Sequence, residues 1–268
     1  MITPHQIENA ELDAWQNMFD IAPEDFRKKM AMFYKHVGGG ICQVFPNYPV
    51  VHFNMVMGLG FTEPVTKEIL QQVESIYNEA QQPVYMIQFS DAVQKAEPAN
   101  IFEEMNYRVG GGWERITWKP QPVLPLQITR NIRVEEVTAA TAPAWEKFIL
   151  DLYHYPAKDW LLAFIAQGWH NFIAIENDKI VACRSIYINK NNFAWSGVEA
   201  PVPIVMTSDL VPDRILWKHI QQFCMQQNIA LLAADIEVPS PERNTPIYQS
   251  FAELGFRVEY LRKLYRKK

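Results

Sequence analysis

Glycine is scarce in this sequence, 11 of 268 residues, and none lies between Gly197 and Gly255. Loops that cradle phosphate through bare backbone N–H groups are therefore hard to find. The one glycine run, Gly38-Gly39-Gly40, lacks the Lys-Ser/Thr of a P-loop and precedes a strand-like stretch at 41–45. It reads as a helix-to-strand turn. Cysteine is scarcer still. Cys42, Cys183 and Cys224 are odd in number and widely spaced, which excludes a disulfide framework or metal knuckle and suits a reducing cytoplasm. No apolar run approaches the roughly 20 residues of a spanning helix. Residues 8–13 are acidic and polar where a signal segment would be basic and then apolar. Positive charge is also short: 25 Lys and Arg against 30 Asp and Glu give a net charge of −5. That balance excludes a broad grip on nucleic acid or an anionic membrane. The basic tip Arg262, Lys263, Arg266, Lys267 and Lys268 reads as a solvated tail. The six histidines show no metal-ligand spacing, and neither a Gly-x-Ser-x-Gly elbow nor a Cys-His arrangement is present. The expectation is a cytoplasmic globular protein without metal.

What is present is a repeat. Phe251-Ala-Glu-Leu-Gly-Phe-Arg-Val258 is echoed by Phe102-Glu-Glu-Met-Asn-Tyr-Arg-Val109. Gly255 is matched by Asn106, and these two residue types best tolerate the left-handed backbone that ends a helix. Each copy follows an apolar strand (84–89; 230–238) and a polar, Pro-containing loop, and each leads into an aromatic-basic strand (113–119; 258–265). So large a spacing indicates two copies of one domain.

Helical spacing of Leu12, Trp15 and Met18, then of Phe26, Met30 and Phe33, predicts two short helices within 11–35. Residues 50–61 read as a strand. Pro64 opens an amphipathic helix with Val65, Ile69, Leu70, Val73, Ile76 and Tyr77 on one stripe. Pro120, Pro122 and Pro125 stiffen 120–127 into a linker, which divides the chain into domains at 1–119 and 128–268. The second half reads as a strand at 128–137, helices at 142–153 and 157–167, strands at 172–176, 180–188 and 193–199, a helix at 213–227, and the closing repeat. This order, β-α-α-β-β-β-α-β-α-β, describes an α/β (α+β) domain on a mostly antiparallel central sheet flanked by helices.

That order, finished by Asn244-x3-Tyr248-x2-Phe251-Ala-Glu-Leu-Gly255-Phe256, resembles the GNAT superfamily of CoA-dependent N-acyltransferases over residues 128–268. Gly168-Trp169, Phe172-Ile-Ala, Ile180-Val-Ala and Ala194-Trp195-Ser-Gly197 are similar to a bacterial tandem type with a degenerate N-terminal domain, as is Phe53-Asn54-Met-Val-Met-Gly58-Leu59-Gly60. The resemblance implies two tandem GNAT-like domains, acetyl-CoA as co-substrate and a small amine as acceptor; it leaves a homodimer open. Glu199, at the end of a strand, resembles the family's general base, which takes the amine proton. The family's proton-donating Tyr falls on Phe251. Tyr248, one turn earlier on the same helix face, is the substitute donor and a CoA contact. Asn244 resembles the CoA-contacting Asn, with a helix cap as its other role. Arg214 is the one charge that could meet phosphate where the family has a Gly-rich turn. Its surroundings, Asp209, Pro212 and Asp213, oppose a diphosphate, and Asp213 has a role open to it as helix N-cap. His154 and Tyr155 lie in a loop that walls the acceptor site in similar folds. A non-catalytic ligand-binding or scaffold protein with a lost diphosphate loop is the alternative.

Overall fold

The computed structural model describes every residue except 1, 49, 94–98, 124, 126–128 and 166–167. The chain forms two compact units, Met1–Arg115 together with Glu259–Lys268, and Ile116–Val258. The last ten residues thus join the first unit, an exchange that a division by sequence order does not contain. Part of the 120–127 linker lies outside the described residues.

In unit 1, helix α1 (Pro4–Asp20) opens on a capping box. The Thr3 hydroxyl accepts from Gln6 N–H and the Gln6 side chain from Thr3 N–H. The helix therefore begins a full two turns before its apolar spacing becomes legible. Helix α2 (Glu24–Met30) follows, then the antiparallel hairpin β1 (Phe33–Val37) and β2 (Gly40–Val44). The strand expected over 50–61 is shorter, β3 (Met55–Met57), because Val51–Phe53 form a 3-10 turn. Helix α3 (Lys67–Glu79) is capped by the Thr66 hydroxyl and buries Ile69, Leu70, Val73, Ile76 and Tyr77. It starts at Thr66 and not at Pro64. Strand β4 (Met86–Ser90), helix α4 (Ala99–Glu104) and strand β5 (Tyr107–Trp118) complete the first copy of the repeat.

Unit 2 holds β6 (Ile132–Glu136), α5 (Ala142–Tyr153), α6 (Lys158–Ala163), β7 (Trp169–Glu176), β8 (Lys179–Ile188), β9 (Phe193–Ala200), α7 (Val211–Gln226), β10 (Leu231–Ile236), α8 (Pro246–Glu253) and β11 (Arg257–Lys267), whose residues from Glu259 onward belong to unit 1. This is the order expected from the sequence. The helix expected over 157–167 ends earlier, at Ala163, and the strand expected over 128–137 starts at Ile132; residues 128 and 166–167 lie outside the described ones. In unit 1 the strands lie β1-β2-β3-β4-β11-β5, and in unit 2 β10-β9-β8-β7-β6. The two repeat copies trace the same β-α-β path, β4-α4-β5 and β10-α8-β11. Their caps are left-handed in both, Asn106 at φ 61° and Gly255 at φ 78°. A Cβ on Gly255 would also meet the Gln121 amide at 2.3 Å, so here the cap is crowded as well as left-handed.

Strand β11 changes the meaning of the basic tail. Arg262 is not solvated: it is fully buried, because β11 runs antiparallel to β4 with Arg262 opposite Ser90. Its guanidinium and that of Arg115 both hydrogen-bond the Glu11 carboxylate on α1, and Arg262 also donates to Gln88 at 2.9 Å. Glu8, one turn earlier, accepts from the Tyr260 hydroxyl at 3.0 Å. Burial pushes the Glu8 carboxyl up, against the two guanidinium charges. The same charges and their hydrogen bonds overcome burial at Glu11 and hold it below its ordinary value. Glu11→Ala would leave two buried guanidinium groups with Glu8, 3.7 Å from each, as their remaining carboxylate. Urea unfolding should show a loss of about 3–5 kcal/mol for that variant; a loss below about 1 kcal/mol would mean that α1 does not depend on this cluster.

Candidate active site

The site forms where two parallel strands of unit 2 part. Strands β9 and β10 pair only from Phe193–Trp195 to Leu231–Ala233. Beyond that, β9 runs on to Ala200 and β10 to Ile236. A bulge turns the end of β9: Cys183 lies opposite Ala200 while Ser185 lies opposite Gly197. The extra residue sits around Val198, whose φ of 53° is left-handed. Bulges re-aim side chains, and this one delivers Glu199 to the cleft. Gly197 is required beside it, since a Cβ there would lie 2.1 Å from the Trp195 ring.

Glu199 and Arg184 line the cleft with Asp235 and Glu237 from the β10 side, and Val202, Pro203, Ile204, Val238, Ile247 and Phe251 supply apolar walls. The cavity volume is about 20 Å³, enough for a water on a scale where about 10–15 Å³ suffices. Among the described residues of the lining, Arg184 is the only cation. Its Nε and Nη2 donate to Asp213 Oδ1 at 3.0 and 2.8 Å, and its Nη1 lies 3.6 Å from Glu199 Oε2. Its guanidinium carbon stands 4.2 Å above the Trp217 ring, a cation–π contact that fixes the plane of the group. Tyr153 braces the end of β9, donating from its hydroxyl to the Glu199 carbonyl at 2.5 Å. Burial, then the nearby Glu199 charge, raises the Tyr153 phenol.

One guanidinium therefore faces a group of carboxylates. Burial raises Glu199, Arg184 works against that rise, and Asp213 and Asp235 add to it. Glu237 is exposed as a residue and lines the cleft beside Asp235 and Glu199. Loss of hydration first, then Glu199 and Asp235, pushes it up to about 8.

The other residues singled out from the sequence lie elsewhere. Tyr248 is buried and is not among the residues lining this cleft; its hydroxyl accepts from Ser240 N–H at 3.1 Å. Phe251 does line it. Asn244 is exposed, and the cap of α8 is the next residue, Thr245. Arg214 is bound to Glu253. Asp213 is no N-cap: it sits inside the first turn of α7, where Arg184 claims it. His154 is the left-handed end of α5, and Tyr155 stacks on Tyr153 at 5.3 Å between ring centres. Arg184, Tyr153, Asp235 and Glu237 were not expected. The legible signals were a charge inside the apolar run Val181-Ala-Cys-Arg184-Ser, and acidic residues two apart where β10 ends, Asp235 within it and Glu237 just beyond.

The start of α7 does not fit a diphosphate. Val211 N–H donates to Asp209 Oδ1 at 3.2 Å, Pro212 has no N–H, and Asp209 is itself paired with Arg130 at 2.6 Å. The Val211 N–H that would face a ligand's phosphates is taken by the chain's own carboxylate. Among the described residues no group of three His, Cys, Asp or Glu could hold a metal ion, and no helix is long and apolar enough to cross a membrane.

No family model and no curated protein matches the sequence. Solved structures do match. A GCN5-related N-acetyltransferase from Kribbella flavida superposes with a TM-score of 0.65 at 10% identity, over 100% of this chain and 96% of that one. One from Sphaerobacter thermophilus gives 0.62 at 13% identity, over 97% and 91%. A tandem GNAT protein from the clavulanic acid biosynthesis pathway gives 0.52 at 11% identity, over 85% and 78%. The fold is that of the GNAT acetyltransferases. The match spans both units, so the GNAT architecture extends to the whole chain.

Tyr248 can be tested apart from any ligand. Tyr248→Phe leaves Ser240 N–H without its acceptor and should cost about 1–3 kcal/mol in chemical denaturation. Unchanged stability would free the hydroxyl from its structural duty.

Proposed function

We propose that unit 2 is an N-acyltransferase domain that transfers an acyl group to a small primary amine lodged between β9 and β10, with unit 1 as a degenerate copy. The observation that carries this is Glu199, delivered by the β9 bulge to the point where the strands part. An amine reaches the cleft as ammonium and must lose a proton before its lone pair can attack a carbonyl. A carboxylate there can hold the cation and receive that proton, and the surrounding apolar walls strengthen both interactions by excluding water. Tyr153 orients the Glu199 backbone. Tyr248 supports the loop at Ser240, and Asn244 and Arg214 are left to the α8 surface and to Glu253.

Acetyl-CoA is the donor that the resemblance implies, but the start of α7 sets two carboxylates, Asp209 and Asp213, against its diphosphate, and Asp209 already takes the Val211 N–H. No step is assigned to it. The same observation favours a second reading, in which the fold has kept an amine-binding cleft and lost transfer.

The two readings separate in one assay. Acetyl-CoA and a panel of primary amines are incubated with the protein and the acylated product is sought by mass spectrometry. The acyltransferase reading expects product, and a fall in turnover of about 100-fold or more in Glu199→Gln. Absence of product, with no melting shift from millimolar acetyl-CoA, favours the second. A ligand at about 100 times its dissociation constant would stabilise the fold by about 2.7 kcal/mol, several degrees in such a measurement.

A further inference from the structure

We infer that the turn 202–207 is a docking rim for an apolar tail, so that the acceptor is an amphipathic amine, an NH3⁺ head on a hydrocarbon chain. This rests on the amine reading above and narrows it.

Size decides where the tail lies. The cavity between β9 and β10 is about 20 Å³, room for one water or one NH3⁺ head. Carbon beyond that head must leave the cavity and cross its mouth. The apolar walls are Val202, Pro203, Ile204, Val238, Ile247 and Phe251, of which the last two are buried. Val238 is 53% exposed and Ile204 38%, so each lines the cavity and faces solvent at once. The apolar surface continues outward from there, because Ile204 is followed by Val205 and Met206, exposed at 56% and 41%. Three consecutive apolar side chains in water are costly and unusual without a use. They do not belong to a slack loop. Met206 N–H donates to the Val202 carbonyl at 2.9 Å and Ile204 N–H to the Thr207 carbonyl at 2.8 Å, which closes the turn twice. The sequence carries no charge over residues 201–208, so a hydrocarbon laid there strips no ion of its water. Two other occupants fit less well. A second copy needs roughly 800 Å² per partner, and four side chains, each about half exposed, supply far less. An anionic lipid surface would be repelled by a chain of net charge −5.

The test is calorimetric and needs no acyl donor. The full chain is titrated at pH 7 with methylamine, n-butylamine, n-hexylamine and n-octylamine, and with n-hexanol as a neutral control. Each CH2 that reaches the rim should tighten binding about two- to threefold, levelling off once the tail outruns it. The heat-capacity change of binding should grow more negative along the series. Val205→Asn combined with Met206→Gln, both at exposed positions, should keep the melting temperature and flatten the series, costing hexylamine about tenfold more affinity than methylamine. Val238→Asn, on the β10 side of the mouth, should flatten it too. Amines that bind equally well whatever their length overturn the rim and leave the amine reading standing. Hexanol binding as tightly as hexylamine does the reverse, and no binding of any amine at millimolar concentration overturns both. Length-dependent binding with no acylated product leaves the rim standing and overturns transfer. A dimer in sedimentation, or flotation with phosphatidylcholine vesicles, that the double variant abolishes would assign the turn to a second copy or a lipid surface and overturn the inference.

Discussion

The ion pair between Arg184 and Asp213 governs what unit 2 can bind. Both partners are buried, and a buried guanidinium is tolerable only when its charge is answered and its donors are used. Asp213 answers it from the first turn of α7, which ties that helix to β8 and turns the face of Arg184 onto Trp217. The consequence reaches further. In folds of this class the start of this helix is where an anion finds free N–H groups. Here the chain has placed carboxylates there instead, one held by Arg184 and one by Arg130. The cleft beyond is left with an excess of negative charge and one guanidinium already committed. An anion would be repelled at both places. A cation is what the cleft lacks.

Unit 1 also buries its charges as a cluster, with the Glu8 carboxyl 3.7 Å from both guanidinium groups. Two guanidinium groups, on β5 and β11, share the Glu11 carboxylate on α1, so one helix acid holds two strands. Because Glu259–Lys268 belongs to unit 1, that unit is incomplete without β11. A truncation that looks minor by sequence would remove Arg262, Leu264 and Tyr265 from a core that includes Phe102, stacked on Tyr265 at 4.1 Å.

Element order in unit 2 was legible because the apolar periods are strong and the turns carry their usual residues, as at Asn177-Asp178, both left-handed. The repeat was legible because a left-handed cap favours Gly or Asn, and the two copies carry one of each at the same place. The exchange of β11 was not, since nothing in a strand's sequence names its neighbour, and Arg262 looked like one more basic tail residue. At the site, Glu199 could be found as a strand-end carboxylate. Its companions could not, because their meaning is collective. Asp235 and Glu237 matter only once β10 is known to part from β9, and Arg184 only once Asp213 is known to lie above it. Tyr248 was chosen for its helix face, yet the fold turns its hydroxyl to the Ser240 backbone.

The scarcity of glycine has a structural cost that falls on this site. Left-handed backbone is found at Val198 and at Ile204, which lines the cleft with φ 66°. Both are β-branched, and such residues in that conformation store about 1–3 kcal/mol each. Glycine at either place would relieve the strain, but it would also loosen the bulge that aims Glu199 and the wall that Ile204 gives the mouth. Strain of this kind persists where the surrounding structure holds it, and here the holders are identifiable. The Trp195 ring presses on Gly197, the Tyr153 hydroxyl fixes the Glu199 carbonyl, and Ile204 N–H donates to the Thr207 carbonyl at 2.8 Å. A cleft rigid enough to keep two like charges together must be braced from outside, and stiff, branched residues in an unfavourable backbone well brace it better than flexible ones.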